Sequence, residues 1–157
     1  DLINKIREEV PGIALRTTLM VGHPGETEED YRELEDFVKT MKFERLGVFP
    51  YSHEEDTYCD KHYQDDVSEE TKNKRAEKLM ALQEGVVAAL NESCVGKRFW
   101  VLIDRVEGDY FVGRTQYDSP EVDQEVFVTS EKALQIGEFY EVLITEAGQF
   151  ELYAKCE

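Results

Sequence analysis

A predicted strand that ends in a glycine-rich turn and passes into a helix constrains the fold of this chain more than any other stretch. Residues 17–21 are all β-branched or apolar, which is typical of a parallel strand covered on both faces. Two glycines and a proline at positions 22–25 predict a turn, and Thr27, with Asp30 three residues later, predicts the start of a helix. The stretch therefore predicts an α/β arrangement.

The same turn is a candidate binding site, because α/β proteins bind ligands at the carboxyl ends of their parallel strands. Gly22 and Gly25 would let a flat or charged ligand approach the main chain, and the helix N-terminus favours an anion. The alternative is an ordinary strand-to-helix connection without a ligand. This stretch alone leaves both interpretations open.

The elements around this turn predict one βαβ unit. Apolar residues at helical spacing predict helices over residues 1–10 and 28–41, and residues 45–51 predict a second strand. Two parallel strands do not form an independent sheet, so a larger parallel sheet or barrel is implied.

A long polar loop and a long helix follow. Residues 52–66 are polar and predict the loop, and residues 71–91 predict the helix. Near the start of this helix lie four basic residues that predict a solvated face: Lys72, Lys74, Arg75 and Lys78.

From Gly96 onward the pattern changes to five short strands without a helix. This pattern predicts a small, closed, antiparallel β-barrel. The predicted fold class is therefore α/β followed by all-β. Residues 1–93 form the α/β part with its long connecting helix, and residues 94–157 form the barrel.

The charge of the chain restricts its partners. The 157 residues include 35 acidic and 18 basic side chains, a net charge of −17, and residues 94–157 carry 13 acidic and 6 basic ones. Binding to a phosphate backbone depends on Lys and Arg, so the charge disfavours nucleic acid and favours a basic partner. A solvated acidic surface that only maintains solubility is the alternative. The sequence contains neither a membrane-length apolar run nor a signal peptide, which predicts a cytoplasmic protein.

The cysteines predict neither disulfides nor a metal site. Cys59, Cys94 and Cys156 are odd in number and far apart, which favours a reducing compartment. Cys59 and His62 form one isolated Cys-x-x-His pair, without the second pair that a tetrahedral site needs. We therefore predict no metal ligands in this chain.

Three separated motifs resemble the radical S-adenosylmethionine methylthiotransferases. They are TLMVGHPGET at residues 18–27, VFPYSHEEDT at residues 48–57 and DSPEVD at residues 118–123, within the predicted barrel. The Glu-Glu-x-Thr form of the second motif and the third motif favour the branch that modifies an aspartate of a small-subunit ribosomal protein. The resemblance covers nearly the whole chain.

The resemblance implies a specific fold and cofactor pocket. Residues 1–93 would be the C-terminal portion of a TIM-like radical S-adenosylmethionine barrel, and residues 94–157 would be a barrel of the TRAM kind. The first strand and its turn, with the end of the second strand, would then enclose the adenine of S-adenosylmethionine. The residues assigned to this pocket are Leu19, Val21, Gly22, Pro24, Gly25, Glu26, Phe49 and Tyr51.

The resemblance also implies a reaction that this chain does not complete by itself. In the family, a reduced [4Fe–4S] cluster cleaves S-adenosylmethionine to a radical that abstracts hydrogen from the β-carbon of the aspartate. Sulfur arrives from a second [4Fe–4S] cluster, and another S-adenosylmethionine supplies the methyl group. The cysteine motifs that hold these clusters are absent from this sequence. The chain is therefore expected to be an inactive part of a longer transferase, with no catalytic residue of its own.

The acidic loop of the barrel is the expected docking site for the basic ribosomal protein, through Asp118, Glu121 and Asp123. Two alternatives stay open. One is a methylthiotransferase that acts on tRNA adenosine, and the other is a non-catalytic acidic module that binds a basic partner.

Overall fold

The computed structural model describes residues 2–157, which form two compact units, residues 2–86 and residues 87–157. Each unit has its own hydrophobic core. The division between the units falls within the long helix; the sequence predicts a boundary after residue 93, and this boundary stays a prediction. Within residues 2–157, every helix is too short or too polar to cross a membrane.

The first unit alternates helices and strands, as the sequence predicts. The elements in chain order are α1 (Leu2–Glu9), β1 (Arg16–Val21), α2 (Glu28–Met41), β2 (Arg45–Pro50), α3 (Tyr58–His62) and α4 (Glu69–Glu92), which extends beyond residue 86. β1 and β2 pair in parallel, with Leu19 opposite Val48 and Met20 opposite Phe49. Parallel pairing requires a crossover connection, which contains α2.

A capping box starts α2. Thr27 Oγ1 accepts a hydrogen bond from the Asp30 N–H at 3.1 Å, and Asp30 Oδ2 accepts one from the Thr27 N–H at 2.8 Å. Hydrogen bonds from the Thr27 hydroxyl and N–H hold the pKa of Asp30 below its ordinary value. The helix ends at Met41, and the capping residue Lys42 has a left-handed φ of 47°. The predicted helix and its N-terminal signal are therefore confirmed.

The described residues cover only one face of the two-stranded sheet. Leu19, Val21 and Val48 pack in one core cluster with apolar residues of the helices. On the other face, Met20 is 55% exposed and Phe49 is 59% exposed. The expectation that β1 is covered on both faces is therefore wrong within residues 2–157, because the helices contribute their apolar residues to a single cluster.

The polar segment between β2 and α4 contains a short helix where the sequence predicts only a loop. Thr57 Oγ1 caps α3 by accepting a hydrogen bond from the Asp60 N–H at 3.2 Å. A helix of five residues is too short to leave a periodic apolar pattern in the sequence.

The second unit contains a closed five-stranded barrel. Its strands are β3 (Arg98–Glu107), β4 (Tyr110–Thr115), β5 (Glu125–Ser130), β6 (Phe139–Ala147) and β7 (Glu151–Cys156), in the spatial order β3-β4-β5-β7-β6. The predicted strand number and closure are confirmed. The predicted antiparallel arrangement is wrong at one pair, because β5 and β7 run parallel. An odd number of strands cannot alternate in direction around a closed barrel, so one pair has to be parallel.

Alternate residues of the strands fill the barrel. On β5 and β7, Val126, Val128, Leu152 and Ala154 lie in the core, while the residues between them face outward. Gly113 on β4 permits close approach to β3, because a Cβ there would overlap the Leu102 carbonyl oxygen.

Candidate functional sites

The turn after β1 is covered by a lysine of α4. Gly22 is buried with a φ of 77°, and a Cβ at this position would overlap Cγ of Lys72. Gly25 has a similar φ of 83°, but nothing lies within 4 Å of its Cβ position. The sequence predicts open main chain at both glycines; at Gly22, the group that approaches the main chain is the Lys72 side chain.

Lys72 is fully buried, although it carries a charge. Its Nζ donates hydrogen bonds to Asp65 Oδ2 at 2.6 Å and to Glu69 Oε1 at 2.7 Å, and it lies 5.2 Å from the centre of the Tyr51 ring. Burial alone would lower the pKa of Lys72, but its hydrogen bonds to the two carboxylates outweigh burial and raise that pKa. The expected solvated face is therefore wrong at Lys72, because carboxylates of the preceding polar segment and of α4 itself stabilise the buried charge.

Arg75 ties α4 to the start of α2. Its NH1 donates to Glu26 Oε1 at 2.6 Å and its NH2 to Glu28 Oε2 at 3.2 Å, and the guanidinium carbon lies 5.1 Å from the centre of the Tyr31 ring. Arg75 is only 8% exposed, so it too departs from the expected solvated face. Glu26, which the resemblance assigns to the cofactor pocket, is thus engaged in a largely buried ion pair that fixes the turn.

Two further contacts hold the turn. The Gly25 N–H donates to Asp66 Oδ1 at 2.8 Å, and the Tyr51 N–H donates to the Val21 carbonyl at 2.8 Å. Pro24 is buried. The turn is therefore positioned from the polar segment, from β2 and from α4.

Two histidines and a thiol lie beside this turn. His23 Nδ1 lies 3.0 Å from the Pro24 carbonyl, which can only accept a hydrogen bond, so the other ring nitrogen accepts from the Cys59 thiol at 3.4 Å. Tyr51 donates its hydroxyl to His53 Nδ1 at 3.0 Å, because His53 Nε2 faces Asp60 Oδ1 at 3.3 Å.

The groups around Tyr51 make its hydroxyl less acidic. Burial raises the pKa of the Tyr51 hydroxyl, and the Cys59 thiol and the Asp65 carboxylate raise it further. The arrangement links polar groups at the carboxyl ends of β1 and β2. Within residues 2–157, however, no group of three His, Cys, Asp or Glu side chains is placed to hold a metal ion.

The side chains assigned to the cofactor pocket lie in three places. Leu19 and Val21 pack toward the helices, and Tyr51 is buried next to Lys72 and His23. Phe49 lies on the exposed face of the sheet, where the exposed Met20 is its register partner. Of the apolar residues predicted to meet the adenine, only Phe49 presents its side chain on the open face.

The acidic loop of the barrel divides into a structural and an exposed part. Asp118 is 9% exposed, and its Oδ2 accepts hydrogen bonds from the N–H and the hydroxyl of Thr115. Asp123 accepts a hydrogen bond from the Ser119 N–H at 2.7 Å. Glu121 is exposed. The three acids assigned to docking are therefore not equivalent, because Asp118 stabilises the turn that carries the other two.

Glu121 and Asp123 lie in a groove on the outer face of the barrel. The groove has a volume of about 410 Å³, and its lining residues are Glu121, Asp123, Glu125, Phe127, Phe150, Glu151 and Tyr153. Asp118 does not line it. The sequence analysis missed the aromatic part of this groove and the residues of β7.

A repeated pattern in the two strands could have pointed to the groove. Residues 125–128 are Glu-Val-Phe-Val and residues 151–154 are Glu-Leu-Tyr-Ala, so each strand carries acid, apolar, aromatic and apolar residues in that order. The parallel register aligns them, with Glu125 opposite Glu151 and Phe127 opposite Tyr153. This alignment depends on the one parallel pair of the barrel, which the sequence analysis did not predict.

Comparison with known proteins gives the relationship of the chain. Residues 95–156 match the TRAM domain family. A ribosomal protein uS12 methylthiotransferase RimO from Phocaeicola vulgatus is 58% identical over 98% of this chain, which spans 36% of that relative. Proteins of the same name from Parabacteroides distasonis and Porphyromonas gingivalis are 54% and 57% identical over 99% of this chain, which again spans 36% of each. The chain thus belongs to the RimO methylthiotransferase family and carries a TRAM domain at residues 95–156.

Proposed function

We propose that this chain is part of a radical S-adenosylmethionine methylthiotransferase that modifies the β-carbon of an aspartate in a basic small-subunit ribosomal protein, in the cytoplasm. The observation that carries this proposal is the 58% identity, over 98% of the chain, to a protein named ribosomal protein uS12 methylthiotransferase. The chain spans 36% of that relative, so the activity belongs to the complete protein.

In this proposal, β1 and β2 are the last strands of the radical S-adenosylmethionine barrel. Bound S-adenosylmethionine supplies the radical and the methyl group. Phe49 and Met20 fit the adenine of this cofactor, because they are exposed, apolar and neighbouring in register. Leu19 and Val21 support the strand from the side of the helices.

The glycine turn has a supporting role in the same pocket. Gly22, Gly25 and Glu26 keep the carboxyl end of β1 in place through Lys72, Asp66 and Arg75, as their contacts indicate, and Pro24 is buried in the same turn. Tyr51 closes the turn from β2.

The iron–sulfur clusters do not fit the described residues. All three cysteines are free, and no group of three possible metal ligands occurs in residues 2–157. The proposal therefore assigns the cluster ligands to other parts of the complete enzyme and gives residues 2–157 no role in holding a cluster.

The barrel docks the basic protein substrate. Residues 94–157 carry 13 acidic and 6 basic side chains, and exposed carboxylates surround the groove on β5 and β7. Opposite charge accelerates encounter and disfavours phosphate-bearing competitors. Asp118 contributes by stabilising the loop, and Glu121 and Asp123 by facing the partner.

The complete enzyme, with its clusters reconstituted, tests the proposed activity directly. Incubation with S-adenosylmethionine, a sulfur source, a reductant and the purified ribosomal protein is expected to add one methylthio group to one aspartate, located by mass spectrometry of peptides. A substrate with that aspartate replaced by asparagine serves as the control. If tRNA gained the group and the ribosomal protein did not, the tRNA alternative would replace this proposal.

A further inference from the structure

The groove on the barrel combines stacked aromatic rings with carboxylates, and its rings are not part of the barrel core. Val126 and Leu152 point inward, so Phe127 and Tyr153 point outward between them. Their ring centres lie 5.6 Å apart with an interplanar angle of 27°, and Tyr110 meets Phe127 edge-on at 5.7 Å. Three aromatic side chains on the outside of a barrel are not required to close it.

The groove brings like charges together on β5 and β7. Glu125 and Glu151 are direct partners in the parallel register, and like charges at such positions are destabilising. Arg105 relieves one of them, since its NH2 donates to Glu125 Oε2 at 2.8 Å and also to Glu107 Oε2 at 2.8 Å. One guanidinium is thus shared between two carboxylates.

Glu151 and Glu121 form no ion pair within residues 2–157. Glu151 Oε2 accepts a backbone hydrogen bond from the Phe150 N–H at 3.2 Å, and Glu151 makes no ion pair within the described chain. Glu121 likewise has no ion pair there, and it lies in the same groove. Burial raises the pKa of the Tyr153 hydroxyl, and the charge of Glu151, which lines the same groove, raises it further.

We propose that this groove binds an arginine side chain of the basic protein substrate, with the guanidinium on the outward-facing, half-buried Phe127 and Tyr153 rings and its N–H groups on Glu121 and Glu151. The inference rests on the proposed function for the identity of the partner, and it names the chemical group that the barrel recognises. A cation on the faces of aromatic rings is attracted by their π electrons. The missing positive charge between the paired glutamates would then come from the partner.

Arginine fits this groove better than lysine or a nucleic acid. The guanidinium is planar, so it stacks on a ring while its edge donates two parallel hydrogen bonds to a carboxylate. An ammonium is a compact, strongly hydrated charge that does not stack. A phosphate backbone would meet Glu121, Asp123, Glu125 and Glu151 and be repelled.

A titration of the full 157-residue chain, followed by amide NMR shifts, tests the groove with small probes. The probes are N-acetyl-arginine methylamide, its neutral citrulline analogue and the corresponding lysine derivative, each added to millimolar concentration. We expect the arginine derivative to shift amides of residues 125–128 and 151–154 in a saturable way. The lysine derivative should bind more weakly, and the citrulline analogue should cause no saturable shift.

Two variants with equal change in net charge separate the groove from the general charge of the barrel. The double variant Glu121→Gln/Glu151→Gln removes the carboxylates without a cation and should weaken binding of the arginine derivative at least fivefold. The control Glu131→Gln/Glu138→Gln removes two exposed acids that do not line the groove and should change binding less than twofold. Tyr153→Leu should also weaken binding, since it removes one ring.

The inference is overturned if the citrulline analogue causes the same shifts, if both double variants weaken binding equally, or if the shifts lie outside β5 and β7. Its failure differs from that of the proposed function. If the complete enzyme methylthiolates the ribosomal protein but the arginine derivative leaves the groove unchanged, only the groove assignment falls. If the derivative binds there and the ribosomal protein is never modified, the groove stands and the proposed function falls.

Discussion

Gly22 and Lys72 show why a glycine is needed at a position where sequence analysis considered a ligand. Lys72 is fully buried against the turn, and its charge is stabilised by Asp65 and Glu69. The same geometry explains the positive φ of Gly22, because the main chain has to turn without a side chain at the point where the lysine passes. The glycine at position 22 is therefore explained by its packing against Lys72, without a ligand, as in an ordinary strand-to-helix connection.

The pair Gly22→Ala and Gly25→Ala separates backbone strain from steric conflict. Both residues have φ near 80°, so each substitution should cost about 1–2 kcal/mol of unfolding free energy from the left-handed backbone. Only Gly22→Ala would also displace Lys72, which should add about 1–3 kcal/mol. Urea unfolding followed by the helical circular dichroism signal measures both. Equal losses would show that Lys72 yields without cost.

The Asp65–Lys72 hydrogen bond should make stability depend on acid. It lowers the pKa of Asp65 in the folded chain, so its contribution is present above the unfolded pKa of about 3.9 and is lost as pH falls through the folded value. Asp65→Asn should lower the unfolding free energy at pH 7, and this difference from the parent chain should vanish at low pH.

The exposed pair Asp56 and Lys61 supplies the control for this pH profile. Asp56→Asn removes a surface ion pair at 3.1 Å and should change the unfolding free energy by at most about 0.5 kcal/mol at pH 7. Urea unfolding at several pH values between 7 and about 3 gives both profiles. A constant difference between Asp65→Asn and the parent chain across this range would contradict the assignment.

At the scale of elements, local patterns predict most of the strands and helices. They do not predict which face of each element the rest of the protein covers. The apolar run of β1 correctly predicts a strand, and the Thr27 signal correctly predicts the start of α2. The run does not reveal which face is covered, because an apolar residue has the same pattern beside a helix or on an open face. Met20 is therefore expected in a covered strand, and its side chain is 55% exposed within residues 2–157.

The exposed sheet face gives a prediction for the complete enzyme. Phe49→Ala removes the ring proposed to meet the adenine, and the loss of one base–aromatic contact corresponds to about 1–3 kcal/mol. The Kd for S-adenosylmethionine, measured by equilibrium dialysis, should rise about tenfold. Ile136→Ala, at a residue of similar exposure on the barrel unit, should leave the Kd unchanged. An unchanged Kd in Phe49→Ala would remove Phe49 from the pocket.

At the scale of the whole chain, composition predicts a charge but not its arrangement. The excess of acid was evident, and so was the acidic loop at residues 118–123. The groove requires the parallel pairing of β5 and β7, which brings residues 26 positions apart into register, as with Glu125 and Glu151. Such pairing is set by closure of the barrel, so local patterns could not predict it. The assignment of Asp118 to docking rests on its charge alone. Its hydrogen bonds to Thr115 are visible only in the folded turn.

Under the proposed function, the net charge of −17 on this chain gives a prediction about its encounter with a basic ribosomal protein. Attraction between the acidic protein and a basic ribosomal protein should raise their association rate at low salt, and screening should reduce that rate about tenfold between about 0.05 and 0.3 M ionic strength. Stopped-flow mixing measures the rate, and a gel shift with tRNA under the same conditions provides the comparison. We expect no stable tRNA complex at physiological salt, because acidic residues outnumber basic ones in both parts of the chain. Tight tRNA binding that weakens steeply with salt, together with a salt-independent association rate for the protein, would reverse the choice of substrate.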